Sequence, residues 1–313
     1  MNVDIVIATY NGERFIGEQL HSIINDVNFN LINKLIISDD YSTDRTLDVV
    51  GEFILKYSID NCVIVKNEMK SGPASNFVNA LNLSSADFIF FCDQDDFWIE
   101  NRIFEFISKV NLLDNKIPGL IYSDLKIVNY ELSLLYASFY EHERIPFSWG
   151  ERVENLLFQN STPGCAMLIN KECREKIIST FDSNKVIMHD WWAMLYTSLY
   201  DNQVYLNSPT ILYRQHSSNA VGMTKKITLK NILSKIKKNI VNLYLVRKQS
   251  LYFFNILNDD EVKLLSYKAK LLLRLELEEL SFNERFLLLC QSGRIKSTFV
   301  KNLITKIIIM IKG

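Results

Sequence analysis

The sequence predicts an α/β protein in which a mainly parallel sheet is flanked by helices and followed by a helical extension at the carboxyl end. Three observations predict it. Short apolar runs alternate with helix-period segments through the first hundred residues, the pattern of a doubly wound sheet. Only 10 Gly and 5 Pro occur in 313 residues, too few turn-formers for a loop-rich all-β design. After about residue 227 the apolar spacing becomes helical.

Residues 3 to 8 (VDIVIA) read as a buried strand that stops at TYNGE, where Asn11 and Gly12 supply a turn into the helix-like RFIGEQLHSII. Residues 34 to 38 (KLIIS) form a second strand ending in DDYSTDRT, and Ser42 or Thr43 is expected to cap the helix that carries Leu47, Val50, Phe53 and Ile54. Residues 62 to 65 make a third strand, SGPASNF turns into a helix, and residues 87 to 92 (DFIFFC) make a fourth strand. Strands are also expected at 120 to 123 and 165 to 169, a helix start at MHDWWAML, and a short strand after Pro209 that passes into a polar loop. Helices at about 227 to 244, 261 to 290 and 297 to 311 complete the chain. The resulting division is 1–223 for the sheet domain and 224–313 for the extension.

A hydrophobic content of 48% excludes a disordered chain. Five cysteines without CxxC pairing make a disulfide framework or a zinc site improbable and fit a reducing cytoplasm. No secretory signal is evident at the start, and the run IIIMI near the end is far shorter than the roughly 20 residues that span a bilayer. Charge is asymmetric: residues 224 to 313 hold 18 Lys and Arg against 7 Asp and Glu, whereas the whole chain carries −1. Lys226, Lys230, Lys235, Lys237 and Lys238 accompany an apolar face, a basic amphipathic helix suited to an anionic membrane surface. The same lysines serve equally as the solvated side of a packed helix. Nucleic acid is not expected as a partner, because the first part is acidic and the tail has few interleaved aromatics.

The chemistry concentrates at strand ends, where open α/β sheets bind ligands. Neither GxGxxG nor GxxxxGK[ST] is present, so a diphosphate would need charge neutralisation from elsewhere. The stretch FFCDQDDFW supplies carboxylates at 93, 95 and 96, which would raise one another's pKa unless a cation intervened. Oxygen ligands favour Mg²⁺ or Mn²⁺.

The ordered set VIATYNGERFIGEQLHSI, IISDDYSTDRT, SGPASNF, FIFFCDQDDFW, TPGCAML and HDWW, spanning residues 3 to about 222, resembles the family-2 glycosyltransferases, inverting nucleotide-sugar enzymes of the GT-A fold. DQDDFW with HDWWAML and YRQHSSNAVG is most similar to bacterial rhamnosyltransferases of cell-surface polysaccharide synthesis. The resemblance implies that Ala8, Thr9, Tyr10 and Asn11 line the nucleotide pocket, with Tyr10 on the base. It implies that Asp40 accepts from the base N3–H beside Asp39, although an Asx turn is an alternative or additional role for this pair. Asp93 would reach the ribose and the metal, Asp95 would ligate the metal directly, and Asp96 would be scaffolding. Asp190 matches the base that deprotonates the acceptor hydroxyl, with Trp191 and Trp192 as an apolar wall for a sugar; the alternative makes Asp190 a helix cap and the tryptophans core. His189 is read as a structural hydrogen bonder. His216 is assigned to the diphosphate or the metal shell, Arg214 to phosphate, Lys70 and Ser75 to the nucleotide, and Thr162 and Gly164 to the acceptor side.

The expected activity is metal-dependent transfer of a sugar, with L-rhamnose from dTDP-rhamnose as the first choice. The expected acceptor is a saccharide or a polyprenyl-diphosphate-linked saccharide at the inner face of the cytoplasmic membrane. A UDP-hexose donor and a non-catalytic nucleotide-sugar-binding subunit are the alternatives.

Overall fold

The computed structural model describes residues 1–215, 229–278 and 280–312, with 229–239, 276–277 and 311–312 described by backbone alone. His216 and Lys226 therefore lie outside the described residues, as do the side chains of Lys230, Lys235, Lys237 and Lys238.

Among the described residues nine strands form one sheet: β1 (Val3–Thr9), β2 (Ile32–Asp39), β3 (Cys62–Lys66), β4 (Phe88–Asp93), β5 (Phe97–Trp98), β6 (Leu120–Val128), β7 (Leu134–Tyr136), β8 (Met167–Asn170) and β9 (Gln203–Arg214). Their order is β3-β2-β1-β4-β8-β6-β9-β5, with β7 on β6. The first four strands are parallel, as the βα alternation predicts; β8 then runs antiparallel to both its neighbours, while β6 and β9 are again parallel. Strand β8 begins later than expected because Gly164–Ala166 forms a single 3₁₀ turn ahead of it. Strand β9 contains Pro209, which lacks an N–H for the ladder; the register against β6 shifts at that point.

The helices are α1 (Ile16–Ile24), α2 (Thr46–Tyr57), α3 (Pro73–Leu83), α4 (Arg102–Ile107), α5 (Phe139–Glu143), α6 (Val153–Leu156), α7 (Lys171–Thr180), α8 (His189–Leu199), α9 (Leu229–Ile256), α10 (Asp259–Leu264), α11 (Tyr267–Leu277), α12 (Phe282–Gln291) and α13 (Phe299–Lys312). The helix expected over 261 to 290 is divided into three by its own capping residues. Asn258 with Glu261 and Ser281 with Glu284 form reciprocal capping boxes, and the Ser266 hydroxyl accepts from the Ala269 N–H. Neither Ser42 nor Thr43 caps α2, which starts at Thr46; both serve the turns described below.

Side chains alternate across the sheet, so each strand feeds two cores. Val6, Ile89 and Phe91 face one, and Ile5, Ile7, Phe90 and Cys92 face the other. The central strands are apolar on both faces, as a sheet covered on both sides requires. Asp4, fully buried in β1, accepts from Asn33 Nδ2 at 2.9 Å and from the Ser84 hydroxyl at 2.7 Å, which satisfies its carboxylate.

Helix α8 passes through the first core and joins it to the extension. Trp192 stacks on Tyr252 with ring centroids 5.7 Å apart and planes 10° from parallel, and meets Phe253 edge-on. Gln249 Oε1 accepts from the Ile187 N–H at 2.7 Å, and Lys176 pairs with buried Glu261 at 2.6 Å. The helices after residue 229 thus share the core of the sheet domain. Replacing Trp192 by alanine should lower unfolding free energy by about 3–5 kcal/mol, the usual cost of emptying a buried Trp site. Calorimetry should show one transition shifting as a whole; a separate, unshifted transition would mean that the extension folds independently.

Candidate active site

Register places the polar strand ends side by side. Thr9 pairs with Asp39 between β1 and β2, and Ala8 pairs with Asp93 between β1 and β4. TYN, SDD and DQDD therefore meet at the carboxyl end of three adjacent strands.

The Thr9 hydroxyl donates to Asp39 Oδ2 at 2.8 Å. Asp39 also accepts from the Ser42 N–H at 2.8 Å and the Ser42 hydroxyl at 2.6 Å, closing an Asx-type turn. Ser42 accepts from the Asn11 N–H at 2.9 Å, and Asn11 Oδ1 accepts from the Thr43 N–H at 2.8 Å. These bonds hold Asn11 and Tyr41 in the left-handed region, φ 47° and 62°. The strain is small for Asn and larger for Tyr, and the surrounding bonds impose it. Asp40 accepts from Asn67 Nδ2 at 2.8 Å, the Ser71 hydroxyl at 2.6 Å and the Gly72 N–H at 2.8 Å. The carboxylate expected to read a base thus already binds the SGP turn before α3, a long-range contact and not an Asx turn; of the pair, Asp39 alone closes the local turn. Tyr10 is 57% exposed, open to stack on a planar ligand. Ser75 is buried at the start of α3, and Lys70 is exposed and donates to Asn184 Oδ1 at 3.0 Å.

The DQDD loop is tied to the TYNG turn by a residue that pattern reasoning passed over. Gln94 Oε1 accepts from the Tyr10 N–H at 2.9 Å, and its Nε2 donates to the Tyr10 carbonyl at 3.0 Å. Gly12 permits this, since a Cβ there would stand 2.2 Å from Gln94 Oε1. Asn76 ties α3 to the same turn, its Nδ2 donating to the Thr9 carbonyl at 3.1 Å. The available signal was an amide residue inside a run of aspartates, opposite a turn glycine.

Three of the four DQDD side chains carry charge into little space. Burial pushes Asp93 up to about 7, helped by the carboxylates of Asp95 and Asp190. Burial and then Asp95 and Asp93 hold Asp96 well above the carboxylate range. Asp96 Oδ1 accepts from the Arg214 N–H at 3.0 Å, whereas Oδ2 has no hydrogen-bond partner among the described residues. Ligand atoms of Asp93, Asp96 and Cys165 lie within 4.8 Å of one another, and Asp95 is outside that trio. The structure thus points Asp96 inward where a scaffolding residue was expected, and leaves the expected direct ligand Asp95 beside the cluster. Burial raises the Cys165 thiol well above its usual value, so it is neutral and a poor ligand. Crowded carboxylates, one with an orphan oxygen, fit a hard divalent cation.

Asp190 lies at the start of α8, next to this cluster. The ring of His189 stacks on Phe77 at 3.9 Å between centroids and meets Phe91 edge-on at 4.6 Å. Phe91 and Asp93, two residues apart on β4, share a face, so this packing brings Asp190 to Asp93. Burial pushes Asp190 up to about 6, against hydrogen bonds from the Trp191 and Gly164 backbone N–H groups and the Asn160 amide. Gly164 is needed at this approach, because a Cβ there would stand 2.8 Å from His189 Nε2 and 3.2 Å from Asp190 Cβ. Thr162 is buried, its hydroxyl 2.6 Å from the Tyr140 hydroxyl.

Several expected contacts are corrected. Neither ring nitrogen of His189 has a hydrogen-bond partner among the described residues; burial lowers its pKa to about 3 and stacking is its contribution. Trp191 and Trp192 are core residues rather than a wall for sugar: both are buried, with indole N–H groups donating to the Leu156 carbonyl at 2.6 Å and the Thr180 hydroxyl at 2.9 Å. Arg214 is buried, and its guanidinium donates to the Asp95 carbonyl at 2.9 Å, to the Tyr130 carbonyl, and to Glu18 at 2.6 Å. It clamps the DQDD loop where a phosphate contact was expected.

An exposed aromatic ring, a crowded carboxylate cluster and a buried carboxylate at a helix start thus meet at one end of a sheet of the GT-A type. Residues 4–171 match the model of glycosyl transferase family 2, and the chain belongs to that family and is a glycosyltransferase. It is 31% identical over 226 residues to the dTDP-rhamnosyl transferase RfbG of Shigella flexneri, covering 69% of this chain and 73% of that one. It is 28% identical over 202 residues to the UDP-Glc:α-D-GlcNAc-diphosphoundecaprenol β-1,3-glucosyltransferase WfgD of Escherichia coli, covering 64% and 71%. The fold is shared with residues 1–349 of Staphylococcus aureus TarS, crystallised with UDP-GlcNAc, at a TM-score of 0.55 and 14% identity over 99% of this chain and 89% of that one.

The Gln94 clamp gives a kinetic expectation. Gln94→Ala should raise KM for the nucleotide sugar by up to about 30-fold with a smaller change in kcat, since two hydrogen bonds worth about 1 kcal/mol each are lost. Gly12→Ala, which evicts Gln94, should do the same, and the double variant should be no worse than either single. Additive losses would show that the two residues act separately.

Proposed function

We propose that this chain is a metal-dependent inverting glycosyltransferase that moves L-rhamnose from dTDP-rhamnose onto a lipid-linked saccharide during bacterial surface polysaccharide synthesis. The observation that carries the reading is the meeting of Asp190 with the DQDD cluster: the two are near enough for Asp190 to raise the pKa of Asp93. That is the separation of roles a single displacement needs, with leaving-group stabilisation on one side and a base on the other.

In the proposed reaction the acceptor hydroxyl oxygen bonds to the anomeric carbon as the bond from that carbon to the nucleoside diphosphate breaks. Asp190 takes the hydroxyl proton onto a carboxylate oxygen. Its hydrogen bonds from the Trp191 and Gly164 backbone hold the carboxylate oriented, and burial raises its basicity. Tyr10 stacks on the base, and the Gln94 clamp fixes Tyr10 relative to the aspartates. A divalent cation held by Asp93 and Asp96, with Asp95 beside them, would supply charge neutralisation for the departing diphosphate. Rhamnose is preferred among donors because of the likeness to RfbG; the likeness to WfgD supports a UDP-hexose as the alternative and a diphosphoundecaprenol-linked acceptor in either case. A diphosphoundecaprenol-linked acceptor, as in the name of WfgD, supports placing the proposed reaction at the inner face of the cytoplasmic membrane; no helix among the described residues is long and apolar enough to cross a membrane.

Asp190→Asn should lower kcat at least about 100-fold while leaving nucleotide-sugar binding intact, the range expected for loss of a general base. In the unsubstituted enzyme the base must be deprotonated, so activity should fall as pH drops through about 6, the pKa to which burial raises Asp190. Full turnover by the variant would remove the base assignment, whereas donor binding without turnover by the unsubstituted chain would favour the binding-subunit reading.

A panel of thymidine and uridine diphosphate sugars, assayed for transfer and hydrolysis with Mg²⁺ or Mn²⁺ and with chelator, tests the donor. The expected response is metal-dependent and confined to dTDP-rhamnose; a response to a UDP-hexose instead would move the chain to the alternative donor.

A further inference from the structure

Helix α13 (Phe299–Lys312) is apolar on two faces. Thr305 and Ile309 are buried, and Ile308 and Met310 pack against the core shared with the sheet. Phe299, Val300, Leu303, Ile304 and Ile307 follow the i, i+1, i+4, i+5, i+8 spacing of one helical stripe, and all are exposed, Phe299 by 69% and Val300 by 64%. The neighbouring α12 adds exposed Phe282, Phe286 and Leu287. Scattered single apolar residues at a surface carry no meaning, whereas an unbroken stripe on a terminal helix is an interaction face.

Charge says what covers it. From Arg285 to the end of the chain there are six Lys and Arg, at 285, 294, 296, 301, 306 and 312, and no Asp or Glu. Lys301 is exposed, reaching Glu143 only at 3.8 Å. Lys306 bonds the Leu289 carbonyl and Lys296 the Phe158 carbonyl, so these two also fasten the helix to the body. An apolar stripe in a wholly basic segment suits an interface whose interior is hydrocarbon and whose surface is anionic.

We infer that the outer face of α13, with the exposed end of α12, lies in the headgroup region of an anionic bilayer and docks the enzyme there. The inference deepens the lipid-linked acceptor reading of the proposed function and rests on it for its purpose, but its surface is independent of the donor site. It differs from attachment by the lysines of 226 to 238, because the apolar stripe supplies insertion and the basic residues supply only attraction.

The test uses the full chain and floating vesicles of phosphatidylcholine, with and without about one third phosphatidylglycerol. The unsubstituted protein should float with the anionic vesicles and much less with the neutral ones, and salt should weaken the binding. Leu303→Glu with Ile304→Glu, both at exposed positions, should lower the vesicle partition about tenfold or more. Circular dichroism and donor-sugar hydrolysis should stay unchanged. No flotation by the unsubstituted protein, or equal flotation by the double variant, would overturn the inference. So would loss of binding only in Lys235→Glu/Lys237→Glu/Lys238→Glu. A double variant that turns a dimer into a monomer in sedimentation, with flotation unaffected, would assign the stripe to a second copy of the chain and overturn it too. Because hydrolysis is read on the same samples, failure of the donor reading with flotation intact would leave the docking surface standing.

Discussion

The register of three parallel strands is the constraint on which the rest depends. With Thr9 opposite Asp39 and Ala8 opposite Asp93, the ends of β2, β1 and β4 fall level. A slip of one residue would turn Asp93 to the other face of the sheet and bury Phe91 on the wrong side. The alternation Ile89, Phe91, Asp93 keeps two large apolar groups in the core and delivers the carboxylate just past it, toward α8. The strong apolar pattern of these strands therefore fixes the position of polar groups that contribute nothing favourable to the core.

Crowded acidic groups cost stability, and the fold limits that cost from below. Arg102 is buried under the cluster among Phe90, Trp98 and Phe106, its guanidinium 4.5–5.3 Å from their ring centroids. It donates to the Cys165 carbonyl at 2.6 Å and to the Thr210 hydroxyl, tying the turn before β8 to β9. Arg214 holds the loop from the side through the Asp95 carbonyl and Glu18. A loop fastened in this way cannot swing outward to hydrate or separate its charges, so burial, with repulsion added to it, raises the carboxyl pKa values of Asp93 and Asp96.

The extension is part of the same device. Trp192, Tyr252 and Phe253 pack in one cluster, and the helix that presents Asp190 is therefore braced on one side by β4 and on the other by α9. Helix α9 of the extension packs on the helix that presents Asp190, while α12 and α13 carry the exposed apolar stripe. Their two faces meet two different environments, the protein core and whatever lies outside.

While the place of Asp190 beside the polar cluster was implied only by the family resemblance of HDWW, apolar patterning and strand-end composition were enough to read the parallel half of the sheet and the polar cluster at its end. Those features follow from local periodicity, which sequence displays directly. The ordered motifs likewise carried the family. What the sequence left undecided was how each polar side chain is used, because that depends on neighbours far apart in the chain. Trp192 reads equally as a sugar platform or as core until Tyr252, 60 positions later, is seen stacked on it. Arg214 reads as a phosphate ligand until Glu18 is found against it, and His189 as a hydrogen bonder until Phe77 covers its ring. Gln94 stands out along the chain only as an amide inside a run of aspartates, since its partner is the backbone of Tyr10, 84 residues away, and backbone groups are the same at every position. Sequence determined which elements form and where charge gathers; tertiary structure decided which polar groups hold the loops and which remain open to a ligand, because only packing sets which long-range partners are within hydrogen-bonding reach.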